Sequence, residues 1–113
     1  MVQNLTVTLI QANLHWEDVE ANLGMFSQKI AGITSRTDLI ILPEMFTTGF
    51  TMKAPSFALE YQKTLDWMKR IAEEKNCAVT GSVIASGYSG RSASTLKYYN
   101  RLIWMKPDAH YLS

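Results

Sequence analysis

Residues 38–50 read Asp38-Leu39-Ile40-Ile41-Leu42-Pro43-Glu44-Met45-Phe46-Thr47-Thr48-Gly49-Phe50, and this stretch decides the fold class. Its first part, DLIIL over 38–42, is a short continuous apolar run. That is the pattern of a strand buried on both faces, as in α/β proteins. Pro43 ends the strand, because it has no N–H to give to a ladder. From Glu44 to Ser56 the sequence reads as a loop holding Gly49 and Pro55. A carboxylate therefore sits just past the C-terminal end of a buried strand. In open α/β sheets this is the edge where ligand sites collect. With Phe46 and Phe50 as pocket walls, Glu44 is a candidate general base; the plainer reading is a solvated loop glutamate.

Upstream, residues 4–12 (NLTVTLIQA) are rich in β-branched and aliphatic types and predict a strand. After the loop Asn13-Leu14-His15-Trp16, apolar residues fall at Val19, Leu23, Phe26, Ile30 and Ile33. That spacing gives one face of a helix. Asp18 is placed to cap it, and Gly32 with Thr34-Ser35 weakens its far end. Downstream, a second helix is expected over about Leu59 to Lys75. Tyr61, Leu65, Met68 and Ala72 share a face of it, widened by Trp67 and Ile71. Residues 77–86 (CAVTGSVIAS) predict a third strand, and Gly87-Tyr88-Ser89-Gly90-Arg91-Ser92 a turn or loop. Residues 95–105 (TLKYYNRLIWM) predict a fourth, with Leu96, Tyr98, Asn100, Leu102 and Trp104 alternating against Lys97, Tyr99, Arg101, Ile103 and Met105. Pro107-Asp108 is a turn. Strands separated by helices predict a layered α/β arrangement, and the last two strands a hairpin.

Bulk properties narrow the classes. At 47% hydrophobic and 19% charged, the 113-residue chain has the composition of a globular domain, or part of one, rather than of a disordered segment. The formal net charge of +1, without a basic stripe or acidic tail, gives no electrostatic case for nucleic acid or an anionic membrane surface. No apolar run approaches the ~18 residues of a spanning helix. The segment MVQNLTVTLIQAN lacks the basic n-region of a signal peptide. A single cysteine excludes an internal disulfide and fits a cytoplasmic protein.

Other reactive side chains weigh toward structure. Cys77 opens a strand, away from any strand-to-helix elbow, and reads as a small buried hydrophobe. His15 and His110 do not stand at metal-ligand spacing from Cys or carboxylates. His15 reads as a loop residue with a local hydrogen bond. Asn100 lies mid-strand among aromatic neighbours and reads as a polar anchor that must find partners. Met45, Met52, Met68 and Met105 read as packing residues. No G-x-G-x-x-G follows the first strand, and Gly81, Gly87 and Gly90 do not make a phosphate loop, which argues against a flavodoxin-like or nucleotide-binding module.

Four segments in order carry a resemblance. LIILPEMFTTGF resembles the segment bearing the catalytic glutamate of the nitrilase superfamily of carbon–nitrogen hydrolases. AVTGSVIA and YYNRLIWMKPD resemble the strands that follow it in the ω-amidase-like branch, and QANLHWEDVEANL that branch's first strand and helix start. The resemblance implies the N-terminal part of a nitrilase-type αββα sandwich, with residues 1–113 forming an incomplete domain. It implies hydrolysis of a small ω-amide such as 2-oxoglutaramate through a Glu–Lys–Cys triad, with no metal or organic cofactor and a homo-oligomer when complete. Glu44 matches the glutamate of that triad. The lysine and the nucleophilic cysteine are expected past Ser113, so Lys97 and Lys106 receive no catalytic role. The 113 residues alone are expected to be inactive and to self-associate. The competing reading is a non-catalytic α/β fragment packed on a partner chain. One departure stands out: Ala109 occupies a turn position where the family tends to have Gly. A positive φ there costs Ala about 1 kcal/mol.

Overall fold

The computed structural model describes residues 3–89 and 95–113. Among them, five strands form one sheet in the order β1 (Val7–Leu9), β2 (Leu39–Ile41), β3 (Ala78–Ser89), β4 (Thr95–Met105) and β5 (Tyr111–Leu112). The first three are parallel. Val7 stands beside Leu39, and Leu39 beside Ala78. Strands β3, β4 and β5 are antiparallel neighbours, with Val79 opposite Met105 and Trp104 opposite Leu112. Helix α1 (Val19–Ala31) connects β1 to β2. A short helix α2 (Ala54–Phe57), a 3₁₀ turn (Ala58–Glu60) and helix α3 (Tyr61–Lys75) connect β2 to β3. No described helix is long and apolar enough to cross a membrane.

The helices form where their apolar spacing says. Val19, Leu23, Phe26 and Ile30 of α1 and Leu65, Met68, Ile71 and Ala72 of α3 are buried. They close one core with Ile40, Val79, Val83, Ile103 and Met105 of the sheet. The Asp18 carboxylate caps α1, with Oδ1 accepting from the Ala21 N–H at 3.0 Å. Asn76, in the left-handed conformation at φ 49°, ends α3, as residues tolerant of that region do after a helix.

Several elements differ from the sequence expectations. The first strand is three residues long rather than nine, because its one ladder partner among the described residues, β2, offers three residues before Pro43. Strand β3 runs on to Ser89, since β4 pairs with it out to Thr95. Gly87, Tyr88 and Ser89 are thus extended, although their composition reads as a turn; Gly90, Arg91 and Ser92 lie outside the described residues. The loop after Glu44 holds α2, with Pro55 in the first turn where a missing N–H is harmless. Strand β5 is too short to show a periodic signal. Strand β2 is buried on both faces at its start, with Ile40 toward the helices and Leu39 on the other side, and only Ile41 at its end is half-exposed.

Candidate active site

Glu44 follows β2 directly, and three constraints fix the chain around it. The Leu42 N–H still donates to the Thr80 carbonyl at 2.9 Å, which carries the β2–β3 ladder up to Pro43. The chain then turns sharply. Met45 adopts φ 50° and Gly49 φ 73°, both left-handed. The Thr48 and Gly49 N–H groups close onto the Met45 carbonyl at 3.1 and 2.8 Å. The third constraint comes from β3, where the Ser82 hydroxyl oxygen accepts from the Met45 N–H at 2.9 Å.

The carboxylate itself meets β4. Asn100 Nδ2 donates to Glu44 Oε1 at 2.7 Å. The two residues stand at the polar corner of a depression of ≈ 380 Å³ on the sheet face away from the helices. Thr80 and Ser82 add hydroxyls to it, and Ile41, Leu42 and Leu102 supply apolar walls. Asn100 is therefore no distant structural anchor; it is the hydrogen-bond partner of the candidate base.

Phe46 and Phe50 do not line this depression. Phe46 turns the other way and is fully buried. Its ring meets Phe26 edge-on at 5.7 Å between centroids and Trp67 at 5.8 Å. Phe50 is 75% exposed. The left-handed Met45 reverses the chain, so these two residues cannot both flank the Glu44 side chain.

The loop is also held from behind. Asn22, fully buried on α1, accepts from the His15 N–H at 2.7 Å and donates through Nδ2 to the carbonyls of His15 and Thr47, each at 2.7 Å. The Glu17 N–H donates to the Thr48 carbonyl at 2.8 Å, and the Trp16 ring N–H to the Phe50 carbonyl at 3.0 Å. The segment after β1 thus buttresses the segment after β2. Sequence reasoning passed over Asn22 and Ser82. The available signal for Asn22 was an amide three residues after Val19, on the apolar face of α1, where a polar group must be satisfied.

The remaining candidates fall elsewhere. Cys77 is buried just before the start of β3, where the Asp38 carbonyl accepts from the Ala78 N–H. From Ala78 to Ser82 the strand climbs on the order of 13 Å, which keeps Cys77 far from Glu44. Burial pushes the Cys77 thiol above its ordinary range; Lys75 opposes this and Asp38 adds to it. Such a thiol is a poor nucleophile. His15 contributes its backbone groups to Asn22. His110 pairs with Asp108 in the last turn, Nδ1 to Oδ2 at 3.2 Å. Lys97 and Lys106 are exposed.

Comparison with known proteins shows the family of the chain. The carbon–nitrogen hydrolase family profile matches residues 6–113. Omega-amidase YafV of Escherichia coli K12 is 43% identical over 86 residues, which cover 76% of this chain and 33% of that protein. Omega-amidase YafV of Yersinia enterocolitica is 36% identical over 107 residues, 95% of this chain and 39% of that one. Among solved structures, XC1258 of Xanthomonas campestris, a CN-hydrolase superfamily protein, superposes with a TM-score of 0.82 at 28% identity. That match covers 98% of this chain and 40% of XC1258. The chain spans between a third and two-fifths of the length of the curated relatives it matches. It belongs to the carbon–nitrogen hydrolase family and carries the N-terminal part of that family's nitrilase-type fold.

Proposed function

We propose that Glu44 is the proton-transfer residue of a hydrolase that cleaves a small ω-amide, of the 2-oxoglutaramate kind, to the acid and ammonia. The observation that carries this reading is the Glu44 carboxylate itself. It stands past the C-terminal end of a parallel strand, on the uncovered side of the sheet, with Asn100 on one oxygen at 2.7 Å. The omega-amidase relatives supply the substrate class.

The chemistry runs in two halves. Glu44 takes the proton of a cysteine thiol, and the sulfur attacks the amide carbon. The C–N bond breaks as Glu44 returns the proton to the departing nitrogen, which leaves as ammonia. A thioester remains. Glu44 then takes a proton from water, whose oxygen attacks the thioester carbon, and the C–S bond breaks to release the acid and the thiol. A lysine ammonium steadies the oxyanion in each tetrahedral state. On this reading, lysine and cysteine belong to the family's downstream half and the 113 residues hold only the base. No metal or organic cofactor takes part, and the completed chain forms a homo-oligomer. The second reading, a non-catalytic fragment packed on a partner chain, draws on the exposed Leu102, Trp104 and Leu112 on one sheet face.

The test uses the chain completed with the downstream segment of the E. coli relative. Glu44→Gln keeps the shape and removes the carboxylate that accepts and returns the proton. Ammonia release from 2-oxoglutaramate is expected to fall at least ~10²-fold, the usual size of a general acid–base contribution. Release at the unsubstituted rate sinks the assignment.

A further inference from the structure

We infer that Asn100 is a positioning residue for Glu44, and that β3 and β4 together hold that glutamate at two points. The inference rests on Glu44 being the base, and it adds a requirement on how the base is held.

The first point is the carboxylate. The last torsion of a glutamate side chain is broad and roughly two-fold, so an unrestrained carboxylate sweeps a wide arc. The Asn100 amide, donating to Oε1 at 2.7 Å, fixes that torsion. A carboxylate held through one oxygen presents the other to the reacting group. Asparagine suits this task because its amide donates at every working pH and carries no charge of its own.

The second point is the peptide that follows. Met45 is a non-glycine residue at φ 50°, a conformation that persists only where its surroundings over-determine it. The surroundings here include Ser82, which accepts the Met45 N–H at 2.9 Å. Ser82 stands opposite Leu102, and Asn100 lies two residues before Leu102 on the same face. Such diagonal neighbours are roughly 7–8 Å apart across an antiparallel pair. That span suits one contact at the Glu44–Met45 peptide and another at the carboxylate. The register of β3 against β4 therefore sets where the base points, and Asn100 is the member of the pair that touches it.

Positioning differs from simple support in what its loss does. A proton-transfer group must lie within hydrogen-bond reach of the proton it moves, and a misplacement of about 1 Å costs up to ~10²-fold. In the completed chain, Asn100→Ala is expected to lower kcat for ammonia release by roughly ten- to a hundredfold while KM moves less than about threefold. Asn100→Asp, of the same shape but without the donor and with a repelling charge, is expected to lower kcat further. Both variants are first checked for an unchanged melting temperature. Should Asn100→Ala not fold, the isosteric Asn100→Asp is the variant read.

A double-mutant cycle separates positioning from support. With Glu44→Gln already in place, adding Asn100→Ala should change the residual rate by less than about twofold, because the group being positioned is gone. A full loss persisting in that background, or an unchanged kcat in the single variants, overturns the inference. If Glu44→Gln itself keeps full turnover, the base assignment fails. If Glu44→Gln is crippled and Asn100→Ala is not, only the positioning role fails.

Discussion

Strand β4 has two faces, and the molecule treats them in opposite ways. Ile103 and Met105 are fully buried beneath the helices. Leu102, one residue away and as apolar, is 61% exposed, and Trp104 is 38% exposed. Both faces are apolar enough to be covered, yet only one is. The candidate site lies on the uncovered side: Glu44, Asn100 and Ser82 meet beside Leu102. A sheet dressed on one face can pack its core while leaving the strand ends and their carboxylate accessible.

Truncating each face in turn gives the largest difference between them. Ile103→Ala removes a fully buried side chain of the main core and is expected to cost 2–5 kcal/mol, roughly the range for large-to-small core changes. Leu102→Ala in the 113-residue chain should stay within about 0.5 kcal/mol, as exposed substitutions do. In a chain completed by its downstream half, the Leu102 cost should rise toward the Ile103 value if a second layer covers that face. Urea denaturation of both variants, with and without the downstream half, reads this directly. Equal costs in the 113-residue chain would mean that the two faces are covered alike.

The covered face was legible because α1 and α3 show a single apolar stripe and β2 a continuous apolar run. The open face was less so. The alternation along β4 is apolar on both sides, so period two marks a strand without saying which side the helices take. The position of Glu44 was readable from LIILP, since Pro43 marks the end of the ladder. Its surroundings were not, because Met45 takes a left-handed turn that no composition rule requires of methionine. That turn sends Phe46 into the core and Phe50 to solvent. Asn100 was visible as an amide needing a partner, but the partner is 56 residues away in sequence. Only the β3–β4 register brings the two together. The same long pairing explains why Gly87–Ser89 are strand despite a turn-like composition.

A smaller effect tests the boundary between the faces. Gly81 lies where Phe46 folds under the sheet. A Cβ added there would stand 2.8 Å from Phe46 Cδ1 and 3.1 Å from Leu42 Cβ. The Phe46 ring is wedged against Phe26 and Trp67 and has little room to yield. Gly81→Ala should therefore destabilise the chain by about 1–3 kcal/mol, as overpacking does. It should also disturb the Glu44 loop, because Leu42 and Phe46 bracket it. A melt unchanged from the parent would show that the ring can move and that the loop is not pinned from the core side.

The smallest effect lies at the far end of β4, in the turn that brings β5 back beside β4 as the edge strand of the sheet. Lys106 and His110 close the turn, with the Lys106 N–H on the His110 carbonyl at 2.9 Å and the Ala109 N–H on the Lys106 carbonyl at 3.0 Å. Ala109 sits at φ 70°, the left-handed position of a three-residue hairpin loop that glycine ordinarily fills. Alanine there carries a steric cost of about 1–2 kcal/mol that glycine avoids. Glycine also gives the unfolded chain more freedom, which takes back roughly 0.4–1 kcal/mol. Ala109→Gly should thus stabilise the chain by a net ~0.5 kcal/mol, against the usual trend for a change to glycine. The turn pairs Leu112 with Trp104 and Tyr111 with Met105 at the sheet edge, and the strain it carries is local to Ala109. Thermal melts of the Ala109→Gly and Ile103→Ala variants and of the double variant test this. Additive shifts and a positive sign for Ala109→Gly keep the hairpin independent of the helix-covered core. A negative sign would mean that the hairpin carries no strain at Ala109, and a non-additive sum would couple the hairpin to that core.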